Sequence, residues 1–319
     1  MSTFVELIWG LLLLLYILFD FVLFFSIHQI KSHSDKIIRK YPLSIIIAAK
    51  NEAEKLKQNL PSILNQKYPK FEVIVVNDQS KDDTKSILTS FDKQCKHLKC
   101  LNVNPNIISS KKKALDFGIK TARYEHLIFT DADCKPLSNL WLKTLQTHFS
   151  DQIPIVLGFS PYQKKPGFLN AIIRYETLQT AVNYFGFANL GFAFMGVGRN
   201  LAYTKNLYKQ FQGFQSHDHL LSGDDDLFVN QAAQQHQVGL CLNPKSFMES
   251  QPKTNFKSWI EQKRRHISTA PHYKLKHKLL LSFQYLIKVL FWGLALPLNI
   301  FLTYKSDFEM FYLALFLIL

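Results

Sequence analysis

The sequence predicts an α/β domain of the doubly wound kind set between membrane-spanning helices, and three observations carry the prediction. Apolar, β-branched runs without polar alternation recur at residues 43–49, 72–76 and 126–130. Runs of this type are strands covered on both faces, as in a parallel sheet with helical crossovers. Segments of helical periodicity follow the first two strands, and strand, turn and helix in repetition define the doubly wound class. The remaining apolar residues gather at the two ends of the chain, in stretches long enough to cross a bilayer.

Taken in order, residues 4–27 form a run broken only by Glu6 and Asp20. Its roughly 24 residues, at about 1.5 Å each in a helix, exceed a hydrocarbon core of roughly 30 Å. No basic stretch precedes the run and no small-residue cleavage site follows it, so it reads as an uncleaved anchor. After the 43–49 strand, Ala53, Leu56, Leu60, Ile63 and Leu64 share one helical face, and Asn51, three residues before Glu54, fits a cap. After the 72–76 strand, the polar turn "NDQSKDDT" opens a helix carrying Ile87, Leu88 and Phe91. In "FLNAIIRYETLQTAVNYFGF", the residues Phe168, Ile172, Tyr175, Leu178, Val182 and Phe185 fall on one helical stripe. That stripe suits either core packing or a bilayer interface. Residues 279–304 form a second span, with Lys288 inside it and Pro297 as the point of a kink, and residues 308–319 begin a third.

A formal net charge of +14 raises nucleic acid as a partner, but its placement argues otherwise. Lys31, Lys36, Arg39 and Lys40 follow the first span, and Lys263, Arg264, Arg265, Lys274, Lys276 and Lys278 precede the second. Basic residues beside spans mark the cytoplasmic side and are drawn to anionic headgroups. The expected organisation is therefore an anchor at 1–30, a cytoplasmic domain at 31–278 and C-terminal membrane helices at 279–319, in the cell (inner) membrane. No zinc-finger, recognition-helix or aromatic RNA-binding pattern accompanies the charge, so no nucleic-acid partner is expected. The four cysteines form no CxxC pair and read as reduced and structural.

Open α/β sheets bind ligands beyond the carboxyl ends of their strands, and acids stand there. Asn51 and Glu52 follow the first strand, Asp78 the second, and Asp131 and Asp133 the third, in "FTDADC". Two carboxylates so close repel one another unless neutralised. A hard divalent cation such as Mg²⁺ or Mn²⁺ does this, completing its shell with substrate phosphates. Neither a GxGxxG fingerprint nor a GxxxxGK[ST] loop is present, so a dinucleotide fold or P-loop does not explain the crevice.

The runs "LSIIIAAKNEAEKLKQNLPSILNQKYPKFEVIVVNDQSKDDT", "SKKKALDFGIKTARYEHLIFTDADC", "GVGRNLAYTKNLYKQFQGF", "SGDDDLF" and "EQKRRH" resemble, in order, the successive motifs of glycosyltransferase family 2. The resemblance covers about residues 42–270. It implies a GT-A fold, meaning a Rossmann-like, mostly parallel sheet with helices on both faces, and an inverting enzyme with a UDP- or GDP-sugar as donor. By the same resemblance Asp78 contacts base or ribose, with Ala48, Asn51 and Glu52 lining that pocket. Lys111 lies near the nucleotide, although the family's Gly and Asn in this segment are Ser110 and Asp116 here. Asp131 faces ribose and metal, and Asp133 binds the cation. Asp225 matches the catalytic acid and Asp224 stands where Glu is commoner. A solvated turn capped by Ser222 is the alternative reading of "GDDD". Gln262 and Arg265 fit the QxxRW box, whose Arg meets the diphosphate, while His266 replaces its Trp.

An acceptor hydroxyl would then attack the donor sugar, with Asp225 taking its proton and Arg265 and the cation stabilising the departing diphosphate. Two or three spans are few for an export channel, so a lipid or glycolipid acceptor is expected. A processive polysaccharide synthase is the alternative within the class, and a non-catalytic sensor of nucleotide sugars is the alternative outside it.

Overall fold

A computed structural model describes residues 2–30, 40–233 and 237–304. Lys31, Lys36, Arg39 and the stretch 308–319 lie outside the described residues. In chain order the elements are α1 (Ser2–His28), β1 (Leu43–Ala49), α2 (Ala53–Leu64), β2 (Phe71–Asn77), α3 (Thr84–Gln94), β3 (Leu98–Asn102), α4 (Lys111–Thr121), β4 (His126–Phe129), β5 (Cys134–Pro136) and α5 (Trp141–Leu145). There follow β6 (Ile155–Gly158), α6 (Phe168–Asn189), β7 (Leu201–Thr204), α7 (Lys205–Gln210), α8 (Asp226–Ala232), β8 (Val238–Cys241), β9 (Met248–Ser250), α9 (Phe256–Ile267) and α10 (Leu275–Tyr304). They form two compact units, one of Met1–Phe25 with Lys274–Leu319 and one of Ser26–Tyr273.

The first unit pairs two helices that are long and apolar enough to cross a membrane, over Leu7–His28 and Leu275–Ala295. Trp9 stacks on Phe291 at 5.2 Å. Asp20 and Lys288, the charges that stood out inside these apolar runs, meet at 3.3 Å, and the ammonium lies 5.1 Å from the centre of the Tyr16 ring. Each charge supplies the partner that makes the other tolerable among apolar groups. The helix α10 continues through Pro297 to Tyr304.

The second unit is built on a seven-stranded sheet of order β3-β2-β1-β4-β7-β6-β8. β7 alone runs against its neighbours β4 and β6, and the other pairings are parallel. Helices cover both faces, which is why β1 needs no polar alternation. Ile45 and Ile47 join Leu56, Leu60 and Ile63 of α2 in one core cluster, while on α4 a Cβ at Gly118 would stand 2.8 Å from Ile46. A small antiparallel pair, β5 with β9, forms a separate two-stranded sheet.

The structure corrects three local readings. An additional strand, β3, lies between α3 and α4 at the sheet edge; its five residues, "LKCLN", mix exposed and buried positions and give no apolar run. Asn51 does not cap α2. It takes a left-handed conformation, φ 55°, and its side chain accepts from Lys81 N at 2.8 Å while its own N–H donates to Ser80 Oγ. Ser222 does not cap α8 either, because Asp225 does so, accepting from Asp226 N at 2.8 Å. The α6 stripe divides along its length. Phe168, Tyr175 and Leu178 are exposed, and Phe185 is fully buried. Within this unit Ser26 Oγ donates to Gly186 O and Asn189 Nδ2 to Ser26 O, tying the last turn of α1 to the end of α6.

Candidate active site

Strand register creates the site. Asn77 pairs with Ala49, so the turns after β1 and β2 leave the sheet side by side. β4 stops opposite Ile46, three residues short of the end of β1, and the chain turns at Thr130 to place Asp131 and Asp133 in the notch. Asp78 is buried. Its Oδ2 accepts from Ser109 Oγ at 2.7 Å, and that hydroxyl in turn accepts from Lys50 Nζ. Its Oδ1 has no hydrogen-bond partner among the described residues, and neither does the buried Thr130 Oγ1. Buried polar atoms of this kind are costly unless a ligand satisfies them.

Lys111 stands at the start of α4, a helix capped by Ser110, whose Oγ accepts from Lys113 N. Its ammonium bridges Asp131 Oδ1 at 2.9 Å and Asp224 Oδ2 at 3.0 Å. Burial pushes the Asp131 carboxyl up, but Lys111, then Arg199 and Arg265, pull it below the usual carboxylate range. Burial would also lower the Lys111 ammonium, yet Asp131, Asp224 and Asp225 raise it well above its ordinary value. Lys111, Thr130, Asp131, Gly198, Asp224 and Asp225 line one cavity, floored by Leu115, Phe129 and Leu201. Behind it part of the aromatic load forms a continuous wall, with Phe129 on Tyr203 at 4.3 Å and Tyr203 on Phe228 at 4.4 Å.

Asp225 is held by two backbone donors, Asp226 N to Oδ1 and Gly198 N to Oδ2 at 2.7 Å. Burial, then the neighbouring Asp224 and Asp226, push its carboxyl up to about 7. A carboxylate poised there is matched to proton abstraction near neutral pH. Asp131, Asp133 and Cys134 offer ligand atoms within 4.8 Å of one another. The two carboxylates suit a hard cation; the buried Cys134 thiol donates to Asp133 Oδ1 at 3.2 Å, and burial followed by Asp133 and Asp131 raises it well above its ordinary value. Glu52 pairs with Lys55 at 2.7 Å and is raised by burial, with smaller contributions from Asp133 and Asp131.

The structure thus brings Lys111, Asp131, Asp224 and Asp225 into one cavity, with Asp133 adjoining. Asn51, Glu52 and Asp78 occupy the neighbouring strand ends, beyond Ala48 of β1. Gln262 reaches the site through Tyr162, donating to its hydroxyl at 3.3 Å. Arg265 and His266 are exposed on α9. Further side chains not marked out by the sequence pattern pack around these groups. Lys112 is buried and its ammonium donates to the carbonyls of His217 and Leu220. Lys113 pairs with Asp218 at 2.8 Å. Asp226 is buried and accepts from Thr269 Oγ1 and, at 2.8 Å, from the Tyr273 hydroxyl. Arg199 lies over the Tyr162 ring at 4.3 Å. The third acid of "GDDD" and the lysine run carried a compositional signal, and Arg199 stands inside the motif-like run "GVGRNLAYTKNLYKQFQGF".

The mostly parallel seven-stranded sheet with helices on both faces is the GT-A fold of glycosyltransferases. Residues 44–202 match Glycosyl transferase family 2, and residues 128–319 match Glycosyl transferase family group 2. The chain belongs to glycosyltransferase family 2. A poly-beta-1,6-N-acetyl-D-glucosamine synthase of Staphylococcus epidermidis is 37% identical over 91 residues, 28% of this chain and 21% of that protein. Glycosyltransferase AglE of Haloferax volcanii is 28% identical over 190 residues, 57% of this chain and 58% of that protein. The chain thus spans about a fifth of the first relative and under two thirds of the second. Among solved structures, the mannosyltransferase PcManGT from Pyrobaculum calidifontis, in complex with GDP-Man and Mn²⁺, superposes with a TM-score of 0.65 at 17% identity, covering 98% of this chain and 96% of that one. Residues 1–349 of S. aureus TarS in complex with UDP-GlcNAc give 0.50 at 18% identity, covering 67% and 59%. These two likenesses establish the fold.

Proposed function

We propose that this glycosyltransferase moves a sugar, with inversion, from a UDP- or GDP-sugar to a lipid or glycolipid acceptor at the cytoplasmic face of the cell membrane. The observation that carries the reading is Asp225: a carboxyl raised to about 7, fixed by two backbone donors, in the same cavity as Asp131 and Lys111. Asp78, with Ala48, Asn51 and Glu52 around it, receives the base and ribose, and its unpartnered Oδ1 supports that role. Asp131 and Asp133 hold Mg²⁺ or Mn²⁺. When bound, the cation offsets the charge that grows on the departing diphosphate. Lys111 keeps Asp131 ionised and pairs with Asp224, and Gln262 and Arg265 close the diphosphate side. Asp225 accepts the acceptor's hydroxyl proton as the new glycosidic bond forms, a contribution of roughly 10²–10⁴-fold in rate.

The domain plan of anchor at 1–30, catalytic domain at 31–278 and membrane helices at 279–319 accompanies this reading. The exposed Phe168, Tyr175 and Leu178 of α6, on a helix whose far end is bonded to the last turn of α1, support an interfacial approach for the acceptor. A processive polysaccharide synthase is the second reading, favoured by the match to the staphylococcal synthase; product length distinguishes the two. Calorimetry of UDP and GDP with Mn²⁺ or EDTA tests the donor site. Binding should require metal and be abolished in Asp133→Ala, and equal binding in EDTA would overturn the metal role.

A further inference from the structure

Arg199 stands in the short turn between α6 and β7, one residue after Gly198, whose N–H holds Asp225. It makes no ion pair among the described residues, and its Nη1 is buried without a hydrogen-bond partner. A guanidinium has five donors and is always charged, so hiding one of its N–H groups from water without an acceptor is costly. Something must hold it there. Its group lies over Tyr162 at 4.3 Å, and the Tyr162 hydroxyl accepts from Gln262 of α9 at 3.3 Å. Tyr162 is itself buried and its backbone bridges to Ser250 at the end of β9. The guanidinium is thus backed by a fixed ring, and among the carboxylates Asp133 and then Asp131 act on it most strongly.

We propose that Arg199 is a phosphate-binding residue of the donor site, its guanidinium set by Tyr162 to receive the diphosphate of a nucleoside-diphosphate sugar beside Asp131 and Asp133. A planar fork aimed at a phosphate gives short, charge-assisted bonds, and the orphaned N–H gains its acceptor when the donor binds. Asp131 and Asp133 would hold the cation while Arg199 meets the diphosphate directly, and the anion would offset the positive charge of both. Gln262 acts on this contact at one remove, as a positioning residue through the Tyr162 hydroxyl.

The inference rests on the nucleotide-sugar reading, and one titration series separates the two. The affinities of the full chain for UDP, UMP and uridine, and for GDP, GMP and guanosine, are measured by calorimetry with Mn²⁺ present, for the parent, Arg199→Met, Arg199→Lys, Tyr162→Leu and Tyr162→Phe, each checked for an unchanged thermal melt. Arg199→Met should weaken the diphosphate by roughly ten- to a hundredfold and the nucleoside by less than about threefold. Arg199→Lys should fall between, since an ammonium lacks the fork. Tyr162→Leu, which removes the supporting ring, should weaken the diphosphate more than Tyr162→Phe. An Arg199→Met variant that loses diphosphate and nucleoside equally, or neither, overturns the role of Arg199. If that variant does not fold, a Lys variant with unchanged diphosphate affinity overturns it instead. A parent that binds none of the six compounds overturns the donor site and this inference together.

Discussion

Replacing Asp225 by Asn removes one proton acceptor and leaves its volume almost unchanged. Two magnitudes follow. Loss of a general base costs roughly 10²–10⁴-fold in turnover. In the parent, a carboxyl at about 7 is about one-tenth ionised at pH 6 and about nine-tenths ionised at pH 8, so kcat/KM should climb about tenfold across that interval, because the base acts only when deprotonated. The same shift acts on stability with the opposite sense. Between the ordinary carboxyl value of 3.8 and about 7, the folded chain binds a proton that the unfolded chain has released, so this group's contribution to stability is full below that window and declines as pH rises through it. About 3 units at about 1.4 kcal/mol each gives a difference on the order of 4 kcal/mol. Asp225→Asn should therefore gain stability relative to the parent as pH rises from 4 to 8. Transfer of radiolabelled sugar in the linear range gives the first quantity, and denaturant titration at each pH the second. A variant keeping more than about a third of parental kcat/KM, or a parental profile flat from pH 6 to 8, would show that Asp225 is not the base.

Lys111→Met removes the cation between Asp131 and Asp224. Asp225, which Lys111 helps to ionise, then ionises less readily, and the midpoint of the kcat/KM profile should move upward by about one unit or more; a midpoint that stays put would show that Lys111 does not tune Asp225. Asn200 is fully buried, accepts from Trp141 Nε1 at 3.0 Å and donates to the carbonyls of Phe159 and Ser246 at 2.8 Å. Asn200→Ala orphans all three and should cost at least about 3 kcal/mol in urea unfolding. At Gly118 a helix-propensity gain of about 1 kcal/mol competes with the 2.8 Å approach of a new Cβ to Ile46. Overpacking is the larger effect, so Gly118→Ala should lower the melting temperature, and a rise would mean that the α4 face yields easily.

The fold was legible where one residue pattern had one cause. β1, β2 and β4 announced themselves because both of their faces are covered, so nearly every side chain is apolar. β3 did not, because an edge strand exposes alternate residues. The acids after β1, β2 and β4 were legible because each follows an apolar run, and the carboxyl ends of parallel strands face one crevice. The groups that position them were not. Arg199 depends on Tyr162, and Tyr162 depends on Gln262, contacts made only once the chain has folded. Capping departs from the sequence pattern for a related reason. Asn51 and Ser222 have the chemistry of caps, but Asn51 is claimed by the loop after β2, and Asp225 reaches the α8 amides first.

The run Lys111-Lys112-Lys113 reads as a basic patch, yet its members do unlike things: the first spans two acids of the cavity, the second is buried against the carbonyls of His217 and Leu220, and the third pairs with Asp218 on the surface. Three identical side chains address three different destinations, set only by the turn of about 100° between successive helical positions. A single-residue insertion ahead of them would preserve the composition and misdeliver every one, so this short helix should be far less forgiving of length changes than of conservative replacements on its outer face.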